Sequence, residues 1–142
     1  MVPKGWVLSC VGNACNIKNN LRLPISSDER SSMSGEFPYY GPTGILGYIN
    51  EYRIDEEFAL IGEDGDHFLK YKDKEMTLLI AGKSNVNNHA HILKFKEKAT
   101  HKIVEIYLNK TDISEYITGQ AQPKLNQQNL NNIKIRSEER RV

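Results

Sequence analysis

Residues 37–62 read FPYYGPTGILGYINEYRIDEEFALIG, and this stretch decides the fold. Over residues 37–52 aromatic and aliphatic side chains alternate between glycines, which is typical of half-buried strands. Because residues 41–44 (Gly-Pro-Thr-Gly) have the composition of a tight turn, we predict two short strands around them. The apolar run Phe58 to Ile61, which ends at Gly62, predicts a buried strand.

Outward from this stretch, the periodicity predicts further short elements. Strands are expected at residues 77–81, 91–95 and 133–135, with residues 82–88 as a polar connection between the first two. The principal helix is expected over residues 103–117, divided by Asp112 and ended by Gly119, and a short helix over residues 125–132 with Asn126 as its cap.

The N-terminal part has weaker signals. Residues 6–17 are interpreted as a short strand or turn that leads into a helix. Residues 19–35 are rich in Ser, Asn and charge and are interpreted as a long loop, a feature that is uncommon in compact domains unless it serves a function. The expected architecture is a single domain of the mixed α/β (α+β) class, mostly short strands with one principal helix.

The bulk composition fits one globular domain. The 142 residues are 39% hydrophobic and 26% charged, which suits a single core. No apolar run approaches the roughly 18 residues that a membrane span needs, and the N-terminus lacks the apolar segment of a secretory signal. We therefore expect no membrane partner and a cytoplasmic location.

Charge is segregated along the chain although the formal net charge is only +1. Residues 51–66 carry seven acids against Arg53, whereas residues 67–110 carry nine lysines against four acids. Such a chain can present a positive face to a polyanion, but the same blocks also serve as ordinary solvated surface.

Two lysine trios are the more informative part of that basic stretch. Lys70, Lys72 and Lys74 alternate, as do Lys94, Lys96 and Lys98, so on strands each trio lines one face at a spacing of about 7 Å, close to the step between phosphates. The alternative is a charged edge strand. Asparagine occurs thirteen times in the sequence. Its side chain is able to recognise adenine in the major groove, but asparagine more often forms helix caps and turns.

Three clusters invite a metal-site interpretation. His89 and His91 share a face if their segment is extended, but a zinc site needs three or four ligands, so a structural histidine pair bonded across the strand is preferred. Residues 63–66 resemble only a fragment of a calcium loop, and a tight acidic turn is preferred. Cys10 and Cys15 lack a metal-ligand spacing and are expected to be small buried hydrophobes. We expect no metal and no cofactor.

Catalytic signatures are missing from the sequence. Neither a G-x-S-x-G nucleophile motif nor a phosphate-binding glycine loop of the P-loop or G-x-G-x-x-G type occurs. We therefore expect a protein that is not an enzyme, with a small metal-dependent hydrolase as a remote alternative.

Five strings, in their order along the chain, resemble the specificity subunit of type I restriction-modification systems. The first runs from Trp6 to Cys15, with Val11 where the family usually has leucine. The others are PYYGPTGILGYI at 38–49, ALIGEDG at 59–65, VNNHAHIL at 86–93, and TGQAQPKLN from residue 118 with the apolar positions that follow it to residue 133.

The resemblance implies a target recognition domain that binds one half of a split double-stranded DNA sequence. In that family two such domains are held apart by long helices that also dock the methyltransferase subunits, and the restriction subunit joins indirectly. The family performs no methyl transfer or cleavage in this subunit, and the resemblance makes residues 62–65 (Gly-Glu-Asp-Gly) and 89–91 (His-Ala-His) part of the structural framework rather than metal sites. The bases would be read by variable segments, here residues 18–36 and 66–83.

The predicted DNA-binding residues lie within those segments or close to them in sequence. Phosphate contacts are expected from Lys70, Lys72, Lys74 and Lys83, and contacts at base edges from Asn19, Asn20, Arg22, Arg30, Ser84 and Asn85, with Lys18 beside them. Tyr39 and Tyr40 are assigned either to the DNA face or to core packing.

The predicted domain covers residues 1–136, and residues 137–142 form a charged tail where the family's spacer helix would begin. The sequence departs from the family pattern there, which puts homodimerisation and methyltransferase docking in doubt unless a longer parent supplies the helix. The alternative function is a protein-interaction or regulatory fragment that binds the methyltransferase subunit without strong DNA binding of its own.

Overall fold

The computed structural model of the chain describes residues 6–10, 15–63, 77–95, 97–108, 114–116, 118 and 124–138. Its strands are β1 (Trp6–Cys10), β2 (Cys15–Ile17), β3 (Ser34–Gly41), β4 (Gly44–Ile49), β5 (Ile54–Asp55), β6 (Phe58–Gly62), β7 (Thr77–Ile80), β8 (Lys83–Val86), β9 (Ala90–Phe95) and β10 (Lys134–Glu138). Its helices are α1 (Ser27–Ser31), α2 (Lys98–Leu108) and α3 (Gln127–Asn132), with 3₁₀ turns at Asn19–Leu21 and Ser114–Tyr116.

The central sheet has the strand order β2-β9-β6-β7, and all neighbours in it are antiparallel. Both of its faces are covered, so every residue of β6 is buried. Ala59, Ile61 and Leu93 pack on one side against α2 and α3, while Phe58, Leu60 and Ile92 pack on the other side against a second sheet. This double coverage explains why β6 is a continuous apolar run rather than an alternating one.

The second sheet has the order β4-β3-β8-β5. Its β3–β4 hairpin is antiparallel, β3 and β8 are parallel, and β5 and β8 are antiparallel. Tyr40 and Val86 face the central sheet in the shared core. Gly82, between β7 and β8, has a φ of 79°, a left-handed conformation that a residue with a Cβ rarely adopts, so glycine permits the chain to pass from one sheet to the other.

Residues 22–33 pack on the outer side of the second sheet. Leu23 is buried with Tyr39 and Ile49, and Ile25 and Met33 pack against them. The Tyr39 hydroxyl donates to the Leu23 carbonyl at 2.7 Å and accepts from the Ile25 amide at 3.2 Å. Burial raises the pKa of Tyr39, so its hydroxyl stays protonated and able to donate.

The two ends of the described chain meet in a separate two-stranded sheet. β1 and β10 are antiparallel, from Trp6 opposite Glu138 to Cys10 opposite Lys134. None of the helices in the described ranges is long and apolar enough to cross a membrane.

The mixed α/β prediction is confirmed, as are the β3–β4 hairpin, the buried strand β6, the strands β7, β9 and β10 within a few residues, α3 with its Asn126 cap, and one principal helix. That helix, α2, begins at Lys98 rather than residue 103, and only a 3₁₀ turn follows among residues 114–116. Asp112, Gly119 and the acidic turn beyond Glu63 lie outside the described residues.

Three predictions about local structure were wrong. The strand expected in residues 6–17 is present as β1, but the helix expected after it is absent from the described part, because residues 15–17 form β2 against β9. The long loop at 19–35 contains a 3₁₀ turn, α1 and the start of β3. The polar connection at 82–88 contains β8, whose polar side chains are bonded inside the molecule.

Candidate nucleic-acid interface

The turn at residues 18–21 is docked onto β9 by both backbone and side chain. The Lys18 amide donates to the Ile92 carbonyl at 2.7 Å. The Ile92 amide in turn donates to the Asn19 side-chain oxygen at 3.0 Å. Because Asn19 supplies the acceptor that a neighbouring strand would supply, the turn is held against the sheet edge although it is not a strand.

A buried histidine completes this attachment. His91, on β9, is fully buried, and its Nε2 donates to the Leu125 carbonyl at 2.6 Å. The Asn19 amide nitrogen lies 2.9 Å from His91 Nδ1. His91, a residue of the central sheet, therefore joins the turn at residues 18–21 to the segment that leads into α3.

Ion pairs surround the same junction. Glu63, at the end of β6, accepts from Arg22 at 3.0 Å and lies 3.7 Å from Lys124 Nζ. Arg22 also donates to the Asn88 carbonyl at 3.2 Å. These partly exposed charges pin the turn to the ends of β6 and β9, in addition to the buried contacts.

With Asn19 turned inward, its neighbours face outward into a concavity of about 390 Å³. The concavity is lined by Asn16, Lys18, Asn20, Leu21, Glu56, Phe58 and Lys94. Asn16 and Asn20 are exposed, and Lys94 is partly exposed. Two ammonium groups and two amides thus border one depression at the edge of the central sheet.

Lys94 is held in a defined position within that depression. Its ammonium lies 5.4 Å from the centre of the Phe58 ring, donates to the Glu57 carbonyl at 3.3 Å and lies 3.5 Å from a Glu56 carboxylate oxygen. Glu56 partly neutralises it, so Lys18 and Lys94 give the depression a modest positive character. Ammonium groups suit phosphates, and asparagine amides suit base edges.

Lys94 also borders a second concavity of about 270 Å³, with Ala59, Leu79, Phe95 and His101 among its lining. The His101 ring lies 4.7 Å from the Phe95 ring and is nearly buried. Burial lowers the pKa of His101, an effect that the carboxylates of Glu105 and Glu57 partly oppose.

Of the predicted site residues, Lys18 and Asn20 lie together in the first concavity. Asn19 and Arg22 belong to the same turn but are bonded to His91 and Glu63, so they hold the turn instead of projecting from it. Lys83 is exposed on the second sheet, with its ammonium 5.2 Å from the centre of the Tyr52 ring. Lys70, Lys72 and Lys74 lie outside the described residues.

Three predicted contact residues are corrected by burial. Ser84 bonds to the Gly82 carbonyl, and Asn85 accepts from the Arg53 amide and donates to the Glu51 carbonyl. Tyr39 is in the outer core, which resolves its open assignment in favour of packing. Because these side chains are buried and bonded internally, they cannot reach DNA in this conformation, and we do not retain them as contacts.

Of the remaining predicted contact residues, Arg30 has a structural role and Tyr40 is intermediate in burial. Arg30 donates to the Leu46 carbonyl at 3.1 Å and lies over the Tyr39 ring, so it covers the edge of β4. Tyr40 is half-buried and packs against the core between the sheets.

The expected pairings of lysines and histidines also differ from the structure. The strand ends at Phe95 and α2 begins at Lys98, so Lys94 and Lys98 do not share a strand face. His89 lies in an exposed turn before β9, so it does not share a strand face with His91 as predicted. Within the described ranges, no three His, Cys, Asp or Glu side chains are placed to hold a metal ion.

Asn16 is the site residue that the sequence reasoning missed. It is a polar residue between Cys15 and Ile17, and this alternation is the signal that it lies on the open face of a short strand. Lys94 was part of a lysine trio but was not assigned to the site. Its neighbours in space, Lys18 and Asn20, are more than 70 positions away, so only the pairing of β2 with β9 brings them together.

A family model, with a fold shared by solved structures, places the chain in the class of DNA specificity domains of restriction-modification systems. A family model described as type I restriction modification DNA specificity domain matches residues 3–136. The chain belongs to this family.

A curated relative shows the same relationship. A type I restriction enzyme specificity subunit from Haemophilus influenzae is 35% identical over 120 residues, which are 84% of this chain. The chain spans 30% of that relative's length.

Solved structures share the fold at low sequence identity. The S subunit of a type I restriction-modification system from M. genitalium aligns with a TM-score of 0.62 at 11% identity, over 96% of this chain and 37% of its own. The HsdS subunit from Thermoanaerobacter tengcongensis aligns with a TM-score of 0.51 at 13% identity, over 96% of this chain and 34% of its own.

Proposed function

We propose that this chain is a target recognition domain that binds a short sequence of double-stranded DNA without catalysing a reaction itself. The observation that carries the proposal is the match of residues 3–136 to the DNA specificity domain family. The depression beside β2 supports it, since Lys18 and Lys94 suit phosphates and Asn16 and Asn20 suit base edges.

The direct test is a salt series of duplex binding, measured by fluorescence anisotropy with a random-sequence duplex pool. Affinity should fall steeply with salt because neutralised phosphates release counterions. Removing one phosphate contact with Lys18→Ala or Lys94→Ala should weaken binding to all sequences and reduce the salt slope by about 1. Asn20→Ala should instead change the sequences enriched in a selection from the pool.

Lys102→Ala is the matched control. Lys102 is exposed on α2, which packs on the opposite side of the central sheet from Phe58, so its loss should leave affinity and salt slope unchanged. Equal losses for Lys18→Ala, Lys94→Ala and Lys102→Ala would contradict the placement of the site. Affinity that does not respond to salt would contradict DNA binding altogether.

We further propose that the domain acts within a longer specificity subunit, in the cytoplasm, and directs methyltransferase and, through it, restriction subunits to the bound site. The chain spans about a third of its relatives, so these partners concern the larger assembly. Self-association of the isolated domain is not part of the proposal. Co-purification of the domain with a methyltransferase subunit, in the presence and absence of duplex, tests this step.

A protein-interaction fragment is the second candidate function. Its support is the edge strand β4, where Ile45, Leu46 and Tyr48 are about half exposed, because a protein partner commonly covers such a surface. Binding of methyltransferase subunit without measurable duplex affinity would favour this candidate over the first.

A further inference from the structure

Backbone groups determine the protonation state of His91. The partner of Nε2 is the Leu125 carbonyl, which only accepts, so Nε2 carries the proton. The partner of the Asn19 side-chain oxygen is the Ile92 amide, which only donates, so the orientation of the Asn19 amide is determined too. Its NH₂ group therefore faces His91 Nδ1, which must accept and is unprotonated.

We propose that neutral His91, acting through Asn19, is a positioning residue for DNA recognition that holds Lys18 and Asn20 in the binding depression. This inference rests on the proposed function. The Asn19 side chain bonds at both ends, to Ile92 and to His91, and its two chain neighbours are the residues that line the depression. The acceptor at Nδ1 thus holds the nitrogen end of the side chain whose oxygen end is fixed by the Ile92 amide.

A second proton on His91 conflicts with this arrangement. Nδ1–H would face the NH₂ group of Asn19, and two donors cannot bond to each other. Among the charged groups of the described residues near the ring are Glu63 from the end of β6 and its two ion-pair partners, Arg22 after the turn and Lys124 before α3. No charged residue of β2 pairs with this part of β9.

Glu63 supplies the alternative partner. One of its carboxylate oxygens lies 3.6 Å from His91 Nδ1 and now accepts from Arg22. In acid, protonated Nδ1 would donate to Glu63, and the Asn19 amide would lose its acceptor at 2.9 Å and keep only the longer contact with the Gln127 side-chain oxygen at 3.5 Å. The turn would then keep the bonds of Lys18 and the Asn19 oxygen to Ile92 but lose the short contact of Asn19 with His91, so Lys18 and Asn20 would be held less firmly for DNA.

The test is the pH profile of duplex affinity in the full chain and in Asn19→Asp. In the unsubstituted protein, affinity should fall roughly fivefold as His91 binds its second proton, the loss expected for one buried hydrogen bond. The substitution keeps an acceptor for the Ile92 amide but places a carboxylate against Nδ1, so protonated His91 becomes the better bonded form. The profile of Asn19→Asp should therefore be displaced, with relatively stronger binding in acid.

Asn132→Asp is the control, since it adds the same charge at an exposed position on α3 and should keep the profile of the unsubstituted protein. Parallel profiles for Asn19→Asp and the unsubstituted protein would overturn the positioning role while leaving DNA binding intact. Absence of duplex binding at every pH would overturn the proposed function and the positioning role together.

A spectroscopic measurement keeps the inference falsifiable without DNA. The ¹⁵N shifts of the His91 ring at neutral pH should show a protonated Nε2 and an unprotonated Nδ1. On acidification, protonation of Nδ1 should coincide with a change in the Asn19 side-chain amide resonances. A ring protonated on Nδ1 at neutral pH would refute the inference.

Discussion

His101 is nearly buried between α2 and the central sheet, where its ring packs against Phe95. Within the described part of the chain its Nε2 has no hydrogen-bond partner, although a Glu105 carboxylate oxygen lies 3.7 Å away. Burial disfavours the charged imidazole more than the nearby carboxylates favour it, so the pKa of His101 lies below its ordinary value of 6.5. The unfolded chain therefore binds a proton at His101 more readily than the folded protein does.

This difference makes stability depend on pH. Above pH 6.5, His101 is neutral in both the folded and the unfolded chain, so burial of its ring costs no stability there. The free energy of unfolding decreases as the pH falls from 6.5 toward the lower pKa of His101 in the folded state. His101→Phe keeps a ring against Phe95 but has no group that binds a proton. Its free energy of unfolding should therefore rise relative to that of the unsubstituted protein as the pH falls through that window. Urea unfolding at a series of pH values measures this.

Lys102→Ala is the control for the same experiment, because Lys102 is the exposed neighbour of His101 on α2. It should retain the pH dependence of the unsubstituted protein. If His101→Phe also retained it, the pKa of His101 would not be lowered in the folded state.

At the scale of elements, side chains that cap and bridge decide where the short elements begin. Ser26 accepts from the Glu29 amide while the Glu29 carboxylate accepts from the Ser26 amide, so a capping box starts α1 within the predicted loop. This serine and glutamate spacing was a readable signal for the helix. β8 offered no comparable signal, since Lys83-Ser84-Asn85 is a turn-like composition that becomes a strand only through its pairing with β3 and its bonds to residues 51–55.

The cap of α3 allows a direct measurement of such a contribution. The Asn126 side chain accepts from the Asn129 amide at 2.8 Å, and the helix that it starts buries Leu130. Asn126→Ala removes this acceptor and should lower the free energy of unfolding by about 1 kcal/mol. Gln128→Ala, at an exposed position of the same helix, should change it by less than about 0.5 kcal/mol, and equal effects in urea unfolding would contradict a capping role.

At the scale of the whole molecule, β6 joins the two principal cores. Alternate residues of this strand belong to the core under α2 and α3 and to the core between the two sheets. The turn that carries Lys18 and Asn20 is attached to the same central sheet through β9. We therefore expect the described layers to unfold together and the binding depression to be lost with them.

Leu60→Ala tests this expectation at the centre of β6. Leu60 is 0% exposed, so truncation leaves a cavity and should cost about 2 to 5 kcal/mol in a single cooperative transition. Leu79→Ala on the adjacent strand removes the same atoms from a residue that is 52% exposed, and should cost well under half as much. Comparable losses, or two separate transitions by circular dichroism and fluorescence, would argue against one cooperative unit.

The sequence by itself determined the fold class, the β3–β4 hairpin, the buried strand β6, the cap of α3 and the family, because each depends on neighbouring residues or on motifs in order. Only the tertiary structure decided that Asn85 and Tyr39 point inward and that Asn19 holds the turn that exposes Lys18 and Asn20. The physical reason is that the partners of these polar side chains lie far along the chain: Ile92 is 73 positions from Asn19, and no local pattern encodes that approach.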